Sequence, residues 1–132
     1  MVHVEQDYQF GIKQQSKVLP LLKQFFGREI IEETDKWSKY DFSDDQALYE
    51  LKTRKNKKRA YPTTLMTCNK VCTTDKELYF VFNFTDELCF IRYTEELFNG
   101  FERKLFSRID SKQDEKEYFF IPIEYLTTIK CF

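Results

Sequence analysis

The chain has 132 residues, enough for one compact domain and too few for two of ordinary size. With 14 Phe and 8 Tyr it can bury a hydrophobic core, which excludes the intrinsically disordered class. The formal net charge of −1 excludes a histone-like protein that coats DNA through total charge, but it leaves a local basic patch open.

The first part of the chain predicts one helix and three strands. Apolar residues recur at helical spacing from Gln6 to Phe26, and Gly27 marks the end of this helix. Pro20 lies late in the stretch and is expected to kink or divide it. The strands are predicted at Glu29–Thr34, Trp37–Phe42 and Gln46–Arg54, the last two forming a hairpin.

The second part predicts a short helix from Thr63 or Thr64 to about Val71, and another that begins at Thr94. The predicted strands are Leu78–Phe84, Leu88–Tyr93, Lys104–Ile109 and Tyr118–Ile123. A charged turn at residues 110–117 separates the last two, and a short tail ends the chain. The aromatic strands are expected to be core rather than base-stacking platforms. We therefore predict a single α+β domain over residues 1–132, with a central mixed sheet flanked by a long N-terminal helix and a second helix.

The hairpin in the middle of the chain carries the most informative residues. If it turns tightly at Asp44–Asp45, Asp41 lies directly opposite Leu48. Because side chains alternate between the two faces of a strand, Asp41, Glu50 and Lys52 then share one face. Asp41 and Glu50 become diagonal neighbours with Cα atoms about 7–8 Å apart, so their carboxylates can converge. The opposite, apolar face comprises Tyr40, Phe42, Ala47, Tyr49 and Leu51.

Two converging carboxylates can hold a hard cation, and we expect Mg²⁺, with Mn²⁺ as a substitute. Such an ion polarises a phosphodiester oxygen and lowers the pKa of bound water. Asp41 and Glu50 are the candidate metal ligands, and Lys52 is the candidate catalytic lysine that orients the attacking water or neutralises transition-state charge. The alternative is an ordinary solvated face, because Glu-x-Lys is a common tripeptide.

A basic run follows this hairpin directly, since six of the eight residues from Lys52 to Arg59 are Lys or Arg. A solvated loop is the usual explanation for such a run. Here the run begins at the candidate catalytic lysine, where a phosphate backbone would have to pass. The candidate nucleic-acid-binding residues of the run are Arg54, Lys55, Lys57, Lys58 and Arg59.

An Asp, a hairpin and Glu-x-Lys after a predicted N-terminal helix resemble the PD-(D/E)xK nuclease superfamily. More narrowly, the chain resembles short nuclease-like proteins of large DNA viruses. The stretches that carry the narrower resemblance are Tyr8–Gly11, Val18–Pro20, Tyr40–Phe42, Tyr49–Arg54, Tyr61–Met66, Asn69–Lys70, Val81–Asp86, Phe106–Arg108 and Ile121–Ile123. The resemblance implies a restriction-endonuclease-like fold, DNA as the substrate, Asp41 and Glu50 as metal ligands and Lys52 as the catalytic lysine.

The resemblance also implies contributions from two helices. The helix predicted near residues 64–70 often supplies a polar contact to the site or to DNA, and Lys70 is the candidate, with an ordinary surface lysine as the alternative. Many superfamily members place a Glu on the first helix, where this chain has Gln14 and Gln15. A neutral amide can ligate through its oxygen but adds no charge, which weakens the case for full activity.

The leading hypothesis is a metal-dependent endonuclease acting on DNA. The alternative is a catalytically inactive nuclease-fold protein that binds DNA or is a structural, virion-associated protein, and a purely structural interaction domain is a third hypothesis. A homodimer, and virion proteins in the alternative, remain open as partners.

No apolar run approaches the ~20 residues of a membrane span, so we expect no membrane partner. We predict a soluble, intracellular protein, in the host cytoplasm or nucleus or in the virion if it is viral. The four cysteines are spaced unlike a zinc site and are expected to be ordinary thiols.

Overall fold

The computed structural model describes residues 2–35, 38–106 and 116–132, with side chains described from residue 13 onward. These residues form two α-helices and nine strands arranged in two sheets. In chain order the elements are α1 Val2–Phe26, β1 Ile31–Glu32, β2 Phe42–Ser43, β3 Ala47–Thr53, β4 Thr63–Thr67, β5 Glu77–Asn83, β6 Glu87–Tyr93, α2 Glu95–Phe98, β7 Glu102–Phe106, β8 Lys116–Pro122 and β9 Thr127–Cys131. Short 3-10 helices span Lys58–Ala60, Cys68–Lys70 and Ile123–Tyr125.

The larger sheet has the strand order β1-β2-β3-β5-β6-β9, and the smaller one has the order β4-β8-β7. Within the larger sheet β3 and β5 run parallel, whereas the other neighbours are antiparallel. The predicted single α+β domain with a mixed central sheet is therefore confirmed. Among the described residues, no helix has both the length and the apolar character that a membrane crossing requires.

The larger sheet is the middle layer of the fold, with α1 on one face and the smaller sheet on the other. The alternating side chains of β5 show this arrangement, because Tyr79 and Val81 pack towards α1 whereas Phe80 and Phe82 pack towards Met66 of β4. A strand covered on both faces reads as a nearly continuous apolar run. The aromatic strands are core, as predicted, and each of the four cysteines is a free thiol.

The N-terminal helix spans 25 residues and continues through Pro20 without a break. It packs on the sheet through Val18 and Leu22, which are 2% and 0% exposed. Gly27 ends it as predicted: its φ of 63° lies in the left-handed region, and its N–H donates to the carbonyl of Lys23.

The helix predicted from Thr64 to about Val71 is wrong, because these residues form β4 and then a single 3-10 turn. Thr64 and Met66 are buried while Thr63, Leu65 and Thr67 are half-buried, which is the alternation of a strand. Pairing with β8 along the whole of β4 overrides the local helix-capping signal of the threonines.

Other boundaries also differ from the prediction. The short tail contains β9, which pairs with β6, and the predicted strand Trp37–Phe42 reaches strand conformation only at Phe42. Trp37 itself, residues 107–109 of the predicted strand, and residues 110–115 of the predicted charged turn lie outside the described residues. Lys116 and Glu117, also assigned to that turn, belong to β8.

The register of the β2–β3 hairpin is two residues away from the prediction. Phe42 pairs with Tyr49, and Ser43 with Leu48. The shift follows from Asp44, whose carboxylate accepts hydrogen bonds from the N–H groups of the two residues after Asp45, each at 2.7 Å, and so moves the turn along the chain. A shift of two residues preserves the faces of a strand, so Phe42, Ala47, Tyr49 and Leu51 pack together in the core as predicted, whereas Tyr40 does not join them.

Candidate functional site

Glu50 lies at the centre of the candidate site and is only 4% exposed. It belongs to β3, which is paired on both edges, so its position is fixed by the sheet. Its Oε2 atom lies 3.1 Å from Nζ of Lys70 and 3.5 Å from Nζ of Lys52. The structure therefore brings two lysines that are 18 residues apart in the chain to one buried carboxylate.

The surroundings of Glu50 raise its pKa from an ordinary carboxyl value to about 7. Burial is the largest cause, and the negative charge of Asp41 adds to it. Lys70 and Lys52 act in the opposite direction but do not offset these effects. A buried carboxylate that another carboxylate perturbs in this way is a feature of functional sites, and it favours the binding of a cation.

Asp41 lies immediately before β2 and is anchored at both carboxylate oxygens. Oδ2 accepts a hydrogen bond of 2.8 Å from the N–H of Leu51, and Oδ1 accepts one of 2.5 Å from the side-chain amide of Gln15. Gln15 comes from α1, so the first helix contributes to the site. Gln14 points elsewhere, because its amide oxygen accepts a hydrogen bond of 3.1 Å from Asn83 at the end of β5.

Lys70 reaches the site from the 3-10 turn that follows β4, rather than from the predicted helix. Besides Glu50, its ammonium group donates to the carbonyl of Lys39 at 3.0 Å. The carbonyl of Lys70 in turn accepts a hydrogen bond from the hydroxyl of Tyr40, whose oxygen also lies 3.1 Å from Cys72 Sγ. These contacts join the segment before β2 to the segment after β4. Tyr40, predicted to share the apolar face of Phe42 and Tyr49, is buried beside Lys70 instead, and burial raises the pKa of its hydroxyl.

Asp41 and Glu50 are the two carboxylates of this site that could contribute oxygen ligands to a divalent cation. In the part of the chain that the structure describes, no group of three or more His, Cys, Asp and Glu side chains could form a closed metal cage. Mg²⁺ is commonly held by one or two carboxylates, with waters and phosphate oxygens completing its shell. A cation would also relieve the repulsion that helps raise the pKa of Glu50.

A groove of about 540 Å³ opens beside these residues, and we call it the basic groove. Five of its lining side chains are Lys or Arg, and no acidic residue of the described ranges lines it. Its lining residues are Lys39, Lys52, Arg54, Leu65, Thr67, Asn69, Lys70, Lys116 and Tyr118. Lys39 and Lys116 were missed by sequence reasoning. Lys39 lies two residues before Asp41 in the chain, whereas Lys116 reaches the groove through β8 of the smaller sheet, which no local pattern signals.

The side chains of the basic run after Lys52 are exposed, half-buried or buried, depending on the residue. Lys55, Lys57 and Arg59 are exposed. Arg54 turns inward, donates to the carbonyl of Leu65 at 2.5 Å and lies 5.8 Å from the centre of the Phe82 ring.

Lys58 is only 7% exposed, so it does not belong to the exposed basic surface. Its ammonium group lies 3.6 Å from Glu87 of β6, and its N–H donates to Asp86. Lys58 therefore anchors the basic run to β6 and to the turn before it.

Comparisons of this chain with protein-family models, with curated proteins and with solved structures find no match. The superfamily resemblance therefore rests on the sequence motifs alone, and the function has to be argued from the geometry of the site.

Proposed function

We propose that this protein is a metal-dependent phosphodiesterase that cleaves DNA, with a restriction-endonuclease-like fold of the PD-(D/E)xK type. One observation carries the proposal: Glu50 and Lys52 lie on β3, Asp41 accepts a hydrogen bond from the N–H of Leu51 between them, and Lys52 lines the basic groove. One buried and one half-buried carboxylate beside a groove rich in lysine are suited to a substrate whose reacting group is a phosphate.

Asp41 and Glu50 would hold Mg²⁺ or Mn²⁺. When bound, the ion supplies polarisation of the scissile phosphate and a lower pKa for its bound water. Gln15 positions Asp41 through the amide hydrogen bond of 2.5 Å, and the N–H of Leu51 fixes the other carboxylate oxygen. Holding a ligand by such contacts is how surrounding residues commonly tune a metal site.

Lys52 connects the carboxylates to the substrate. Its ammonium group lies 3.5 Å from Glu50, its side chain is 35% exposed, and it lines the basic groove. From this position it can orient the attacking water and neutralise charge that develops on the phosphate.

The neutral Gln15 is compatible with this proposal. A glutamate at its position would bring a third negative charge to Asp41, whose charge already raises the pKa of Glu50. The amide instead orients Asp41 without adding to the repulsion.

The contact of 3.1 Å between Lys70 and Glu50 favours a second candidate function. An ammonium group at this distance neutralises the carboxylate in part, as a metal ion would. A nuclease-fold protein that has replaced the metal with a lysine would bind DNA, or serve in a virion, without turnover.

Cleavage of a panel of labelled linear, nicked, branched and single-stranded DNAs tests the proposal, with Mg²⁺ or Mn²⁺ compared with EDTA. Asp41→Asn and Lys52→Ala remove one carboxylate charge and the catalytic lysine, while Lys130→Ala is the matched control, because Lys130 is exposed on β9 and does not line the groove. Products that require metal and disappear in the first two variants support the nuclease. Folded protein that binds DNA and yields no products with either metal favours the second candidate.

A further inference from the structure

We propose that the basic groove binds the terminal phosphate of a DNA strand, so that the strand meets the site at an end bearing a phosphate monoester. This inference rests on the proposed function for the identity of the polymer. It is nevertheless tested by binding alone, because the groove residues that carry it are not the carboxylates of the metal site.

The first observation is the excess of positive charge in the groove. Five basic side chains line it, and the carboxylate of Glu50 is shared by two of them, Lys52 and Lys70. Within the part of the chain that the structure describes, neither Lys39 nor Lys116 makes an ion pair. Both ammonium groups are exposed to solvent, so they are accessible to an anion from outside the protein.

Arg54 gives the second observation, since it is half-buried and has no carboxylate partner among the described residues. Its guanidinium has five N–H donors, and the single hydrogen bond described for it goes to the carbonyl of Leu65. Burial lowers the pKa of Arg54, which expresses the cost of removing the charge from water. The planar guanidinium matches a phosphate, to which it can donate two parallel hydrogen bonds.

The concentration of positive charge in the groove favours a strand end over the middle of a strand. Its volume of about 540 Å³ lies in the range of pockets for one small ligand, roughly 300–1,000 Å³, which suits a terminal nucleotide. An internal phosphodiester brings one negative charge per nucleotide, whereas a phosphate monoester carries about −1.5 to −2 near neutral pH. A terminal phosphate therefore brings more negative charge into this volume than an internal phosphodiester does.

Tyr118 completes the groove with a polar aromatic ring. It lies on β8 opposite Thr67 of β4, and both side chains line the groove. An aromatic ring beside cationic side chains can stack with a base of any identity, so binding here needs no particular sequence. In this arrangement the basic side chains bind the terminal phosphate, and the Tyr118 ring stacks with the adjacent base.

Fluorescence anisotropy in EDTA tests this inference without turnover. The probes are short DNA single strands of one sequence, labelled at one end, whose other end carries a 5′-phosphate, a 3′-phosphate or a hydroxyl. The binding of a blunt duplex with phosphorylated ends is measured in the same way. Lys116→Ala and Arg54→Gln remove groove charges, Lys130→Ala is the matched control, and circular dichroism checks folding.

We expect one phosphorylated strand to bind about tenfold more tightly than its hydroxyl counterpart. The preferred end identifies whether the groove takes a 5′- or a 3′-phosphate. Lys116→Ala should bring the ratio of the two affinities close to one, whereas Lys130→Ala should leave it unchanged. If Arg54→Gln does not fold, the result for Lys116→Ala tests the inference without it.

Equal affinity for phosphorylated and hydroxyl ends would overturn the inference, as would a preference that survives Lys116→Ala. Failure of the proposed function has a different signature. In that case the phosphate preference persists in EDTA, but no DNA is cleaved when Mg²⁺ or Mn²⁺ is added.

Discussion

Replacing Glu50 with glutamine should stabilise the metal-free protein near pH 8. The fold raises the pKa of Glu50 from 4.5 to about 7, so the folded state binds this proton more tightly than the unfolded state does. The resulting stabilisation is fully present below pH 4.5 and is lost as the pH rises through 7. Glutamine has nearly the shape of the protonated side chain, and it has no proton to lose.

The magnitude follows from the size of the pKa change. Each unit corresponds to about 1.4 kcal/mol, so the change from 4.5 to about 7 corresponds to roughly 3 kcal/mol as an upper value. The attraction of Lys52 and Lys70 is already included, because both lower this pKa. We therefore expect Glu50→Gln to raise the free energy of unfolding by up to about 3 kcal/mol near pH 8, and by little near pH 5.

Urea denaturation in EDTA across this pH range measures the effect, with circular dichroism as the signal. Glu124→Gln is the matched control, since Glu124 is exposed, and it should change stability by less than about 0.5 kcal/mol at any pH. Mg²⁺ at about 100 times its dissociation constant should add about 2.7 kcal/mol to the wild type and much less to Glu50→Gln. A variant that is less stable than the wild type near pH 8, or a difference that does not vary with pH, would refute this reasoning.

Three further predictions follow from side-chain contacts. Gln15→Ala removes the amide that donates to Asp41 and should lower the rate constant of single-turnover cleavage about 10–100-fold, whereas Gln14→Ala should leave it within about threefold. Lys58→Ala breaks the ion pair with Glu87 and should lower the free energy of unfolding by about 3 kcal/mol in urea denaturation. The exposed Lys57→Ala should lower it by less than about 0.5 kcal/mol. Equal effects of the two substitutions would show that the Lys58–Glu87 pair contributes nothing. Tyr40→Phe removes a buried hydroxyl bond and should cost about 1–2 kcal/mol, and an unchanged unfolding midpoint would contradict this.

The grouping of Asp41, Glu50 and Lys52 could be predicted because it depends on local geometry. Side chains alternate along a strand with a period of two, so the spacing of Glu50 and Lys52 puts them on one face in any strand. The predicted register was wrong, yet a shift of two residues leaves each side chain on its face. The predicted grouping of Asp41, Glu50 and Lys52 on one face therefore does not depend on the exact register.

The rest of the site depends on pairings between distant parts of the chain. Lys116 reaches the groove only because β8 pairs with β4, and Lys70 only because a 3-10 turn follows that strand. Neither the strand pairing nor the turn has a local sequence signal, and the threonines before Lys70 favoured a helix cap. Likewise, only the structure distinguishes Gln15, which contacts Asp41, from Gln14, which contacts the end of β5.

The most direct test of the account measures Mn²⁺ binding and DNA cleavage in the same samples. It compares the wild type, Lys52→Ala and the double variant Asp41→Asn/Glu50→Gln. We predict that the wild type binds Mn²⁺ and cleaves, that Lys52→Ala binds Mn²⁺ without cleaving, and that the double variant does neither. Cleavage by the double variant, or cleavage by the wild type that EDTA does not abolish, would contradict the account.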